Sequence, residues 1–137
     1  MTISDRSEPL TPGLEGHAET VVSPALTAAA LGSGTADVYA TPAMVALMEA
    51  AAVAAIERHL APGDTSVGIH LDVAHKAATP PGSTVRAKAT LLAVEGRKLT
   101  FAIEAHDTTE QIGEARHTRV IVDQGRFEAK AKAKTAS

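Results

Sequence analysis

Residues 41–82 read TPAMVALMEAAAVAAIERHLAPGDTSVGIHLDVAHKAATPPG, and a change of period inside this stretch decides the fold. The first part is a run of Ala, Val, Leu and Met with one charge, Glu49, between Pro42 and Ile56. Thr41 is placed to cap a helix and Pro42 to occupy its first turn. The pattern predicts a helix to about Leu60, stopped by Ala61-Pro62-Gly63-Asp64. From residue 65 the period becomes two, as in a strand. Strict alternation through residue 78 puts Val67, Ile69, Leu71, Val73 and His75 on one face. Gly68, His70, Asp72, Ala74 and Lys76 then share the other. Thr79-Pro80-Pro81-Gly82 ends the strand.

On the C-terminal side, residues 83–94 predict a strand with Val85, Ala87, Ala89 and Leu91 on one side. A hairpin turn at Glu95-Gly96 leads to residues 97–107, with Leu99, Phe101 and Ile103 inward. A turn at Thr108-Thr109 leads to a last strand over 110–123. On the N-terminal side, residues 14–23 predict a first strand, and 24–37 a loop containing LGSGTAD. The order is strand, long helix, four antiparallel strands: an α+β domain with one helix on one sheet face. A sheet wrapped around an apolar helix in this way is the hot-dog arrangement. The domain is expected over 14–125, between a flexible tail (1–13) and a frayed basic tail (126–137). A lone helix leaves apolar edges of such a sheet uncovered, so a homodimer is expected.

Composition excludes several classes of function. With no cysteine there is no disulfide, thiolate metal site or cysteine nucleophile. A net charge of -3 with interspersed signs offers no basic stripe for nucleic acid, and 2% aromatic residues give no stacking platform. The six histidines show no metal-ligand spacing. The first 13 residues hold no apolar core of a secretory signal, and no run suits a membrane span, so a cytoplasmic protein is expected.

Glu49 is the sharpest feature. Its helical neighbours Val45, Ala46, Ala52 and Val53 are apolar, so the helix is expected to be buried nearly all round. A carboxylate there needs a partner, and such carboxylates cluster at functional sites. The plainer reading is a helix rotated so that Glu49 meets solvent or an arginine. His75, on the expected helix-facing side of its strand, can meet that carboxylate and act near neutral pH; alone it would be an ordinary core histidine. Thr41 is explained by capping alone, yet a helix start also stabilises an acyl oxyanion.

These residues lie within segments that resemble a known family. Ala40-Thr41 followed by MVALME (44–49), HKAATPPG (75–82), VEGR (94–97) and AHD (105–107) are similar to the fluoroacetyl-CoA thioesterase family of hot-dog proteins, over about two thirds of the chain, from Val38 to Lys134. The resemblance implies hydrolysis of a short acyl-CoA thioester by a homodimer, without metal or organic cofactor. It implies Thr41, Glu49 and His75 as the catalytic threonine, glutamate and histidine, with Gly68 and Arg119 at the acyl site. Glu49 would be nucleophile or base, His75 would move the proton, and Thr41 would hydrogen-bond the carboxylate or the thioester. One departure stands out. Where the fluoroacetyl-specific member has aromatic lid residues, residues 31–37 here read LGSGTAD. A more open pocket with graded acyl preference is expected. Two other readings compete: an acyl-CoA hydratase or dehydratase of the same fold, and a non-catalytic acyl-CoA-binding domain. The latter would keep the pocket without the three polar residues.

Overall fold

The structure, a computed structural model, describes residues 9–135. The expected tail therefore lies partly outside the described residues. Its last part is docked: Leu10 packs on the core and the Gly13 N–H donates to the Leu91 carbonyl. Five strands and one long helix follow: β1 (Glu15–Val21), α1 (Ala28–Leu31), α2 (Thr41–Ile56), β2 (Asp64–His75), β3 (Thr84–Glu95), β4 (Lys98–His106), β5 (Gln111–Asp123) and α3 (Gln124–Lys132). The antiparallel sheet has the order β1-β3-β4-β5-β2 and curls around α2 as a hot-dog fold.

The α2 sequence is rich in strong helix formers, with Pro42 in the first turn where no N–H is required. It buries Met44, Leu47, Met48, Ala51, Ala52, Ala55 and Ile56 against Val85, Leu91, Leu99, Phe101 and Ile103 of the sheet. Each fully buried Met, Leu, Ile or Phe contributes about 1.5–3 kcal/mol. Close approach of β1 depends on Gly16, where an added Cβ would run into the backbone of Ala51 and Ala55. Strands β3 and β4 keep their expected inward residues, all at 2% exposure or less.

Several expectations are corrected. The α-helix ends at Ile56, and a 3-10 turn covers Glu57–His59. Thr41 is not the cap: Ala40 holds that position, without a side-chain bond, and the Thr41 hydroxyl turns elsewhere. The helix is not buried all round. Pro42, Ala46, Ala50 and Ala54 form an exposed apolar face, with Val45, Glu49 and Val53 along its margin. The segment before α2 is not plain loop but a 3-10 turn (Pro24–Leu26) followed by α1, which Thr27 caps and Gly32 ends with φ 71°. The basic C-terminus is not frayed through its length; α3 is capped by the Asp123 carboxylate on the Arg126 N–H.

The correction that matters most for function lies in β2. Its register against β5 shifts between Gly68 and His70, so Ile69 is an extra, unpaired residue. Strict alternation fails there. Gly68 pairs with Arg119, Leu71 with His117, Val73 with Ala115 and His75 with Gly113. Gly68 therefore shares the helix-facing side with Leu71, Val73 and His75, while Ile69 is 56% exposed.

Candidate active site

Two polar clusters lie along α2. The first is at its N-terminus. The Thr41 Oγ1 is 2.7 Å from the His75 Nδ1, at the last residue of β2. Burial lowers the His75 imidazole below its usual pKa, an effect offset in part by the Ala77 backbone, so the ring is neutral near pH 7. A threonine hydroxyl both donates and accepts, so it can hold either tautomer while the far nitrogen gives or takes a proton. That nitrogen, Nε2, is buried without a hydrogen-bond partner among the described residues. Both residues line an open cavity of about 310 Å³, with Tyr39 beside them and Ala28, Ser33 and Ala36 opposite. The LGSGTAD segment thus borders the cavity with small side chains.

The second cluster is two turns along α2. Arg119 on β5 is buried and fully engaged. Its Nε donates to the Ser66 Oγ at 2.8 Å, one terminal nitrogen to the Ser66 carbonyl at 3.0 Å, and the other to the Glu49 Oε2 at 3.1 Å. The last nitrogen also lies 3.1 Å from the His117 Nε2. His117 was not singled out from the sequence, although β5 parity places it with Ala115, Arg119 and Ile121 on the inward face. Its Nδ1 donates to the His70 carbonyl at 2.8 Å, which leaves Nε2 as an acceptor. Burial lowers its pKa, aided by the Arg119 charge and opposed chiefly by the His70 carbonyl. The 3.7 Å approach of His117 to Glu49 is therefore a neutral imidazole beside a carboxylate, not an ion pair. Gly68 closes this cluster, since an added Cβ would lie 2.7 Å from the Glu49 Oε2 and 3.0 Å from the His117 ring. The Glu49 side chain is 41% exposed, on the margin of the open helix face.

The five residues named from the sequence therefore divide. Thr41 and His75 meet in one cluster; Glu49, Gly68 and Arg119 meet in the other. Within one chain no ion pair or hydrogen bond joins His75 to Glu49 among the described residues. The spacing explains why. Thr41 and Glu49 are eight residues apart on the helix, roughly 12 Å. Gly68 and His75 are seven apart on the strand, roughly 20 Å or more.

Comparison with known proteins assigns the chain to a family. The family model described as fluoroacetyl-CoA-specific thioesterase matches residues 22–125. A fluoroacetyl-CoA thioesterase from Streptantibioticus cattleyicolor is 46% identical over 99 residues, covering 72% of this chain and 71% of that protein. A solved fluoroacetyl-CoA thioesterase superposes with a TM-score of 0.89 at 38% identity, over 93% of this chain and 99% of its own. A thioesterase superfamily member from Thermus thermophilus superposes with a TM-score of 0.84 at 32% identity, over 91% and 93% of the two chains. On this agreement of sequence and fold, the chain belongs to the fluoroacetyl-CoA-specific thioesterase family of hot-dog proteins.

Proposed function

We propose that this protein hydrolyses short-chain acyl-CoA thioesters as a cytoplasmic homodimer whose active site combines Thr41 and His75 of one copy with Glu49, Gly68 and Arg119 of the other. The observation that carries the reading is the Thr41–His75 pair, with its unpartnered Nε2 beside a cavity at the start of α2. Family membership supports thioester hydrolysis. No helix among the described residues is long and apolar enough to cross a membrane.

Unsatisfied surface supports the dimer reading. β2 is an edge strand of twelve residues, and the exposed alanines of α2 lie open beside the margin that carries Glu49. An unpaired edge and an apolar helix face both favour a second copy. Antiparallel pairing of β2 with its own copy about a two-fold axis near Leu71 would set His75 of one chain next to Ser66–Gly68 of the other. That distance is the one a single chain does not close.

Glu49 is tied through Oε2 to Arg119, and no bond to Oε1 is formed among the described residues. We assign Glu49 as the base. Its free oxygen takes a proton from water as the water oxygen bonds to the thioester carbonyl carbon. The oxyanion faces the first-turn N–H groups of α2 and the positive end of its dipole. When the tetrahedral adduct collapses, the carbon–sulfur bond breaks. His75 takes up at Nε2 the proton that Glu49 removed from water and delivers it to the departing CoA sulfur, which returns both groups to their starting state, and the products are the carboxylic acid and CoA. The reaction requires no organic cofactor or metal. Gly68 and Arg119 both adjoin Glu49, which supports a role for them beside the acyl group.

The test is release of free CoA from a panel of acetyl-, fluoroacetyl-, propionyl- and butyryl-CoA. Hydrolysis with graded kcat/KM is expected, because one methylene in a plain pocket changes binding by only about 1–3 kcal/mol. A fluoroacetyl-to-acetyl ratio above about ten thousand would show that the site closes by means other than an aromatic lid. Single turnover in oxygen-18 water is expected to place no label in Glu49; label there would mean an acyl-enzyme instead.

A further inference from the structure

Tyr39, which lines the cavity beside Thr41 and His75, carries a second polar atom without a partner among the described residues. Tyr39 is 1% exposed and its ring belongs to the core cluster, yet its hydroxyl makes no hydrogen bond among the described residues. Tyr39 lines the same cavity as Thr41 and His75. Burial raises its pKa to about 12, so the hydroxyl stays protonated and remains a donor across the working pH range. A buried hydroxyl left unsatisfied is a cost that folded proteins rarely carry without a reason.

The ring is also held firmly. The Tyr39 N–H donates to the carbonyl of Thr79 at 2.8 Å, and Tyr39 bridges Thr27. Thr79 is itself fully buried, and its hydroxyl donates to the Asp107 carboxylate at 2.9 Å. The turn after β4 and the Pro-Pro segment before β3 thus fix the backbone of Tyr39. A rigid donor makes a better selector than a mobile one, because little freedom is lost when it binds.

We propose that the Tyr39 hydroxyl is a specificity-determining residue of this site, selecting short acyl groups that carry a hydrogen-bond acceptor over purely hydrocarbon ones. This rests on the thioesterase reading above and deepens it. The physical basis is asymmetric. An apolar pocket discriminates weakly against an added polar group, whereas a pocket with a buried donor discriminates strongly against a ligand that leaves it unpaired. Tyr39 takes no part in bond making. It fills its donor capacity when a 2-hydroxyacyl group occupies the cavity and leaves it unfilled when an acetyl or propionyl group does.

The experiment compares kcat/KM for 2-hydroxyacetyl-CoA with that for acetyl-CoA and propionyl-CoA, in the wild-type protein and in Tyr39→Phe. The wild type is expected to favour the hydroxyacyl substrate by at least about tenfold. Tyr39→Phe is expected to bring that ratio to within about threefold of unity, chiefly by losing rate on the hydroxyacyl substrate. Because the hydroxyl makes no bond in the folded chain, the thermal midpoint of Tyr39→Phe should not fall, so a change of ratio cannot be ascribed to unfolding. A wild type without the preference overturns the proposal whatever the variant does. An unchanged ratio in Tyr39→Phe overturns it too, as does an equal loss on all substrates, which would make Tyr39 a general stabiliser of the reaction. Absence of hydrolysis for every acyl-CoA would instead overturn the thioesterase reading itself.

Discussion

The two polar clusters on α2 are built in opposite ways. Around Glu49 nearly every donor is committed: Arg119 spends its nitrogens on Ser66, Glu49 and His117, and His117 is locked by the His70 carbonyl. Around His75 one hydrogen bond to Thr41 orients the ring, and Nε2 is left without a partner among the described residues. A network whose donors are nearly all committed holds a carboxylate in place. A histidine with one free nitrogen can pass a proton. Under the proposed mechanism both groups exchange a proton, Glu49 from a fixed position and His75 through its second nitrogen.

The largest effect is expected from removing the fixed charge. Glu49→Gln keeps the shape of the side chain, so the fold should survive, while the hydrolysis rate falls by at least about a hundredfold. Near wild-type CoA release from this variant would sink the assignment of Glu49 as base. The movable proton comes next. His75→Ala should cost about a hundredfold in kcat, and more than Thr41→Ala, because water can replace a positioning hydroxyl in part. A larger loss in Thr41→Ala would reverse the roles within the pair.

Gly68→Ala sharpens the comparison from the other side. The new methyl would press on the Glu49 carboxylate, the movable end of a side chain, rather than on backbone. We expect roughly a tenfold loss of kcat from a displaced base, with little change in the urea midpoint. A collapsed midpoint with normal specific activity would make Gly68 a packing residue only. Thr41→Ala should lower stability by about 0.5–1.5 kcal/mol through the lost bond to His75, not through a lost cap. Thr41→Ser should restore most of this. Equal midpoints for all three proteins would remove any structural weight from that bond.

The smallest effect is in pH dependence. His75 and His117 both titrate below the ordinary imidazole value of 6.5 because they are buried. Below 6.5 the unfolded chain binds more protons than the folded one. Stability is therefore full above that value and is lost as pH falls through the lowered pKa values of the folded chain. A lower urea midpoint at about pH 5.5 than at about pH 7.5 is expected, and His117→Gln should remove part of the difference. A midpoint independent of pH over this range would show that neither ring is held neutral by the fold.

Much of the architecture was legible because it depends on periodicity. The run from Thr41 to Ile56 could bury its methionines and leucines only as a helix, and the alternation of Val85, Ala87, Ala89 and Leu91 requires one inward face. Glu49 stood out because a single charge in an apolar helix needs an explanation. What was not legible was any feature set by a contact distant in sequence. Ile69 satisfies the alternation on paper, and only pairing with β5 reveals that it is bulged out. His117 looked like one of six scattered histidines until β5 was placed behind β2.

Local order, then, was the sequence's own doing. Residue size, polarity and period act over one helical turn or one strand pair, so the long helix, the strands and the family motifs could be read directly from the chain. Tertiary structure alone decided which polar residues meet. Thr41 faces His75 across 34 positions and Glu49 faces Arg119 across 70, distances over which periodicity carries no information. The bulge in β2 turned Gly68 toward Glu49, because strand register is set by pairing energy along a whole edge rather than by any single residue.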